Sequence, residues 1–134
     1  MRTITPVIPV LTAGAAVGSG AVLDVSDYDV VVLAINTASS ANLTIKIQGS
    51  IADTAPTWGS AASPSNQWDY VQMKDLEDGS SVDGDVGVAP AGTDDQRHFE
   101  VNVNGLKWLN VIVTAYSAGT VTVTAKCFST GGGN

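Results

Sequence analysis

The segment from Phe99 to Phe128, FEVNVNGLKWLNVIVTAYSAGTVTVTAKCF, constrains the fold more than any other part of the chain. Its apolar residues fall on alternate positions: Phe99, Val101 and Val103, then Leu109, Val111, Val113 and Ala115, then Val121, Val123, Ala125 and Cys127. Successive side chains of a strand point to opposite faces, so a period of two gathers each set on one face of a sheet. Asn104-Gly105 and Ala118-Gly119 interrupt the pattern with residue types that accept the backbone angles of tight turns. The stretch predicts three antiparallel strands joined by two reversals.

The same reading extends upstream. Asn42 to Ile51 alternates, with Leu43, Ile45 and Ile47 inward and Thr44, Lys46 and Gln48 outward. Val30 to Ile35 is apolar on both faces, as expected of a central strand. Short strands are predicted at Ala21 to Val25, Trp68 to Asp75 and Val86 to Ala89. A small-residue turn is expected over residues 36–41, and long loops over residues 52–67 and 76–95. Helix-period apolar spacing is missing. The expected fold is all-β: a single antiparallel β-sandwich or jelly roll of about eight strands, built from residues 21–130. Leu43, Ile45, Ile47, Phe99, Val101, Leu109, Val111, Val113, Val121 and Val123 should form one core. Residues 131–134 are expected to be a flexible tail.

Residues 1–20 read as an arm and hinge. Thr3 to Leu11 is apolar on both faces and carries Pro6 and Pro9, which cannot donate to a sheet ladder and so belong at an edge. Residues 12–20, TAGAAVGSG, are small and flexible. An apolar extended segment with poor internal pairing must bury itself, against its own sandwich or a neighbouring subunit. The expected protein-interface residues are therefore Ile4, Pro6, Val7, Ile8, Pro9, Val10 and Leu11, joined by Trp58 from the first long loop.

A chain of 134 residues can bury a core without staples. It has one cysteine, Cys127, so no intramolecular disulfide can form, and its place on an apolar register predicts a buried residue. The single histidine, His98, falls on a polar register beside Glu100 and predicts a surface residue. The net charge of −7 is local: residues 69–100 hold nine acids against Lys74 and Arg97, and the rest of the chain is neutral. That balance argues against a nucleic-acid partner, which needs clustered Lys and Arg, and against an anionic membrane surface. No apolar run reaches the roughly 18 residues of a membrane span, and prolines and glycines interrupt the opening residues too often for a signal peptide.

No constellation with catalytic spacing emerges, so the chain is expected not to be an enzyme and to need neither metal nor cofactor. Asp83, Asp85 and Asp94 stand at the first, third and twelfth positions of a calcium-type loop. Gly87 occupies its fifth position and Val88 the sixth, where the sharp turn needs Gly. The acids serve turn geometry instead. Glycosidase-like carboxylate pairs would need rigid strand ends, and these acids lie in a Gly-rich loop. Trp58, Trp68 and Tyr70 offer aromatic surface that could stack a sugar ring, whereas Trp108 is expected in the core.

Two blocks carry a resemblance. Tyr28-Asp29-Val30-Val31-Val32-Leu33 followed by Leu43-Thr44-Ile45-Lys46-Ile47-Gln48-Gly49-Ser50 is one. Gly105-Leu106-Lys107-Trp108-Leu109-Asn110-Val111 with Ala118-Gly119-Thr120-Val121-Thr122-Val123 is the other. Across residues 28–125 the chain resembles the head decoration, or cement, proteins of tailed bacteriophages. The resemblance implies a non-catalytic virion protein on the capsid exterior, bound to the major capsid protein and to itself as a trimer or dimer. A carbohydrate-binding module and a phage tail component are the alternative expectations.

Overall fold

The computed structural model describes residues 3–129. The expected tail, 131–134, lies outside the described residues, as do the first two residues of the arm. Eleven strands are present: β1 (Thr3–Ile4), β2 (Ile8–Gly14), β3 (Gly18–Ser19), β4 (Leu23–Asp24), β5 (Val30–Ser50), β6 (Asp69–Tyr70), β7 (Met73–Asp75), β8 (Ser81–Val82), β9 (Ala91–Thr93), β10 (Gln96–Asn102) and β11 (Trp108–Ser129). No helix occurs among the described residues. The all-β, antiparallel expectation holds. The hydrogen bonds, however, link all strands into one continuous sheet with the order β1-β11-β5-β10-β7-β8, the remaining strands attached to β11 and β5. It is not divided into the two sheets of a sandwich, and among the described residues eleven strands stand where about eight were expected.

The cause is a ribbon. β5 and β11 pair antiparallel over their whole length, from Trp108 opposite Ser50 to Phe128 opposite Val30. The expected turn over 36–41 and the expected reversal at Ala118-Gly119 are both bends inside these long strands. At the bend, Ser39 and Ser40 take positive φ values of 62° and 55°, and Gly119 takes 80°. Register shifts lie between Val113 and Ala115, between Tyr116 and Ala118 and between Ala118 and Thr120. Bulges of this kind bend a strand without ending it. Gly119 is required there, because a Cβ would sit 2.4 Å from the Ala41 Cα and 2.7 Å from the Ala38 carbonyl oxygen. The Asn104-Gly105 signal does make a turn: Gly105 has φ 91° and the Leu106 N–H donates to the Val103 carbonyl at 2.9 Å.

Both halves of the ribbon feed one core. Val31, Leu33 and Ile35 from one half and Leu43, Ile45 and Ile47 from the other join Phe99, Val101, Leu109, Val111, Val113, Val121 and Val123, all buried. All ten expected core residues are therefore in place. Cys127 is buried and His98 exposed, as their registers imply. Each Val- or Ile-sized side chain taken out of water contributes roughly 1.5–3 kcal/mol, which is the main force holding the ribbon folded.

The outer face is treated unevenly. At the far half, Gln48, Ser50 and Asn110 are buried on the side opposite the core. The loop over residues 52–67 covers them: the Trp58 carbonyl accepts a hydrogen bond from Gln48 Nε2 at 2.9 Å, and the Gln67 carbonyl accepts one from Ser50 Oγ. Trp108 is half-buried, not in the core as expected. Its Nε1 donates to the Ala52 carbonyl at 2.9 Å and the Lys107 ammonium lies 4.7 Å from its ring centre. At the other half, Val30, Val32 and Ala34 point away from the core and are half-buried, on a strand that is apolar on both faces.

Candidate functional site

The expected arm is an edge of the protein's own sheet. Thr3 and Ile4 pair with Ser129 and Phe128. The Thr5 N–H donates to the Cys127 carbonyl at 3.0 Å, and Thr5 Oγ1 accepts from the Cys127 N–H at 3.0 Å. Ile8 to Gly14 then runs along Ala125 to Val121, with two register shifts. Pro9 stands opposite Thr124 within this irregular pairing, at a position where a missing donor is tolerated. The segment finds backbone partners on β11, so it has no need to reach outward for them.

Its side chains divide accordingly. Val10 is 6% exposed and belongs to the core, while Ile8 and Leu11 pack partly against it. Pro6 and Pro9 are exposed. Ile4 and Val7 are 47% and 59% exposed. Trp58 is half-buried over the far half of the ribbon. Of the eight expected interface residues, Ile4, Pro6, Val7 and Pro9 remain displayed.

Val7 stands at the rim of a surface that sequence reasoning did not pick out. With Val32, Ala34, His98, Thr124, Lys126 and Phe128 it lines a shallow hollow of about 200 Å³ on the outer face. The signal was available: Val30 to Ile35 is apolar on both registers, so its even positions place apolar side chains on the face away from the core.

The acidic loop does not assemble a centre. Asp83 Oδ1 accepts from the Asp85 N–H at 2.8 Å, whereas Asp94 Oδ1 accepts from the Ser40 N–H at 2.7 Å on the bend of the ribbon. Among the described residues, no three His, Cys, Asp or Glu side chains are grouped as metal ligands. Arg97 bridges Asp75, which is buried, and Glu77, with 2.6 Å to the Glu77 carboxylate. It borders a hollow of about 230 Å³ lined also by Ile35, Pro90 and Phe99.

The aromatic lead resolves into a packed group. Trp68 and Tyr70 meet edge to face at 5.0 Å, the Lys46 ammonium lies 4.7 Å from the Tyr70 ring centre, and Trp68 Nε1 donates to the Ser60 carbonyl at 3.0 Å. Trp68, Gln67 and Asp69 line a groove of about 540 Å³ with Ile51, Pro64 and Leu106.

No family model and no curated protein match the sequence. Solved structures do. The SPBc2 prophage-derived protein YomS superposes with a TM-score of 0.71 at 13% identity, over 96% of this chain and 96% of its own. The PBSX exported protein XepA gives a TM-score of 0.70 at 14% identity over 96% of this chain. This chain spans only 38% of XepA's length. At these identities the likeness is one of fold.

Proposed function

We propose that this chain is a non-enzymatic structural protein of a bacteriophage particle, seated on the outside of the head and tying together neighbouring major capsid protein subunits. The observation that carries this reading is a fold shared over nearly the whole of both chains with a prophage-derived protein, YomS. The displayed residues Ile4, Val7, Pro6 and Pro9 supply an apolar strip beside the β1–β2 edge, where a capsid subunit would dock.

Gold labelling of particles from a genome that carries this gene tests the reading. Label on heads, lost in an Ile4→Ser, Val7→Ser double variant that still folds, is the expected result. Label on tails would replace head decoration with a tail role, and unlabelled particles would end both. The arm should not be deleted for this purpose, because Val10 belongs to the core.

The groove beside Trp68 favours a second reading, a carbohydrate-binding module. An indole with an amide and a carboxylate beside it is suited to a sugar ring. A glycan array probed with the purified protein decides this: binding lost in Trp68→Ala supports the module, and an array without signal removes it.

A further inference from the structure

We propose that Asn104 is a self-modification site: in the folded protein the Gly105 nitrogen displaces its side-chain amide, and hydrolysis leaves an aspartyl or isoaspartyl residue at the turn between β10 and β11.

The reaction needs three things at one asparagine. The backbone nitrogen that follows must be free to act as nucleophile. The side-chain amide must be free to turn towards it. Nothing may crowd the five-membered ring that forms. Asn104 meets all three. Asn104 and Gly105 are both exposed. Among the described residues the Gly105 N–H donates to no acceptor, and the Asn104 side-chain amide has no hydrogen-bond partner. The space beside Gly105 is open, with no atom within 4 Å of where a Cβ would stand. A glycine nitrogen is also the least shielded backbone nucleophile, on the most freely turning backbone. One hydrogen bond closes the turn, from the Leu106 N–H to the Val103 carbonyl at 2.9 Å, so little resists the rotation.

The other described asparagines are each blocked. Asn102 Oδ1 accepts from the Asn104 N–H at 3.0 Å, and the nitrogen that follows Asn102, on buried Val103, donates to the Asp29 carbonyl at 2.9 Å. The nitrogens after Asn36 and Asn42 are also engaged, Thr37 with the Asp95 carbonyl at 2.8 Å and Leu43 with the Pro90 carbonyl at 3.2 Å. The Asn66 amide holds Thr57, Ser60 and Ala61, and Asn110 is buried against Gln48. Asp78-Gly79 repeats the open glycine, but the Asp78 carboxylate accepts from the N–H and the Oγ of Ser80. Those bonds hold its pKa below the ordinary value, and an ionised carboxylate is a poor electrophile.

The steps balance. The Gly105 nitrogen bonds to Asn104 Cγ and gives its proton to solvent, the Cγ–Nδ2 bond breaks, and Nδ2 leaves as ammonia. Water then opens the succinimide at either carbonyl. Breaking the new N–Cγ bond restores the ordinary backbone with an aspartate, whereas breaking the original peptide bond leaves the chain running through Cγ as an isoaspartate. Net, one water is consumed and one ammonia released. Each event adds one negative charge to a chain that carries −7. The isoaspartyl link also lengthens the turn by a methylene, next to Leu106, which packs against the core and lines the groove beside Trp68.

This inference stands apart from head decoration, since it is measured on the protein alone. The purified chain, held folded at mildly alkaline pH and sampled over days, is the test. Trypsin releases residues 98–107 as one peptide, which carries Asn104 with Asn102 as an internal control. Fragmentation mass spectrometry should find the amide-to-acid mass gain at Asn104, about tenfold or more faster than at Asn102, whose successor is β-branched. An isoaspartyl methyltransferase should label the same peptide. Isoelectric focusing should show a growing acidic band that Asn104→Ser abolishes. Gly105→Ala should slow the reaction by about tenfold or more. Its melting temperature is recorded because Gly105 has φ 91°, and Asn104→Ser decides the matter should that variant not fold. No mass gain at Asn104, equal rates at Asn102 and Asn104, a product that the methyltransferase ignores, or an acidic band that survives Asn104→Ser would each overturn the proposal.

Discussion

Gln48 and Asn110 face each other across the two long strands, and Asn110 Nδ2 donates to Gln48 Oε1 at 2.8 Å with both side chains buried. Gln48 Nε2 in turn holds the Trp58 carbonyl, so the pair joins the ribbon to the loop that covers it. A one-residue slip of β5 against β11 would break the Asn110–Gln48 bond inside the protein, which makes the pair a lock on register.

The first prediction concerns that lock. Asn110→Leu should cost about 1–3 kcal/mol, because it strands Gln48 Oε1 in a buried site while Gln48 Nε2 keeps its bond to the Trp58 carbonyl. Gln48→Leu combined with Asn110→Leu should cost less than the two single changes added together, since neither partner of the Asn110–Gln48 bond is then left without the other. Urea melts of the four proteins give the coupling directly, and strict additivity would show that the amides act independently.

The second prediction separates two glycine roles. Gly79 and Gly119 have similar φ values, 76° and 80°, but a Cβ on Gly79 meets open space whereas one on Gly119 strikes Ala41 and Ala38. Gly79→Ala should cost only the left-handed penalty of about 1–2 kcal/mol. Gly119→Ala should cost clearly more, since it adds a backbone clash at the bend. Equal losses in thermal melts would mean the ribbon can open there at no cost.

The third prediction tests the inward register. Val111 is fully buried, so Val111→Asp should destabilise by several kcal/mol through an unpaired buried carboxylate. Ile51→Asp, at a site 68% exposed, should change stability by less than about 0.5 kcal/mol. Parent-like melting of the Val111 variant would move that strand's faces.

The fourth prediction is a pH dependence. Burial pushes the Cys127 thiol above its ordinary value of 9.0, partly offset by its hydrogen bond with Thr5. The unfolded chain ionises first as pH rises, so stability from the neutral thiol is complete below pH 9.0 and falls as pH climbs through the raised folded value. Cys127→Ala should flatten this alkaline limb. In the native protein at pH 8 a thiol reagent should react slowly, and at once after denaturation. An unchanged alkaline limb in the alanine variant would assign the effect elsewhere.

What was legible in the sequence was the in-and-out pattern. Period-two alternation is a property of neighbouring residues along one strand, so Leu43 to Ile47, Leu109 to Val113 and Val121 to Cys127 announced their buried faces without reference to any partner. What only the tertiary structure decided was pairing. Ala118-Gly119 offers a positive φ that serves a hairpin reversal or a bend equally well. It became a bend because Val121 pairs with Thr37 on the same long strand that Val111 meets at Ile47. The same limit applies to Thr3–Leu11, whose prolines marked an edge but could not say whose edge. β11 supplied the backbone partners, which drew Val10 into the core and left Ile4 and Val7 outside. Long-range hydrogen bonds choose between arrangements that satisfy the same local preferences, and that choice set Val32 between Lys126 and Glu100 in one row of the sheet.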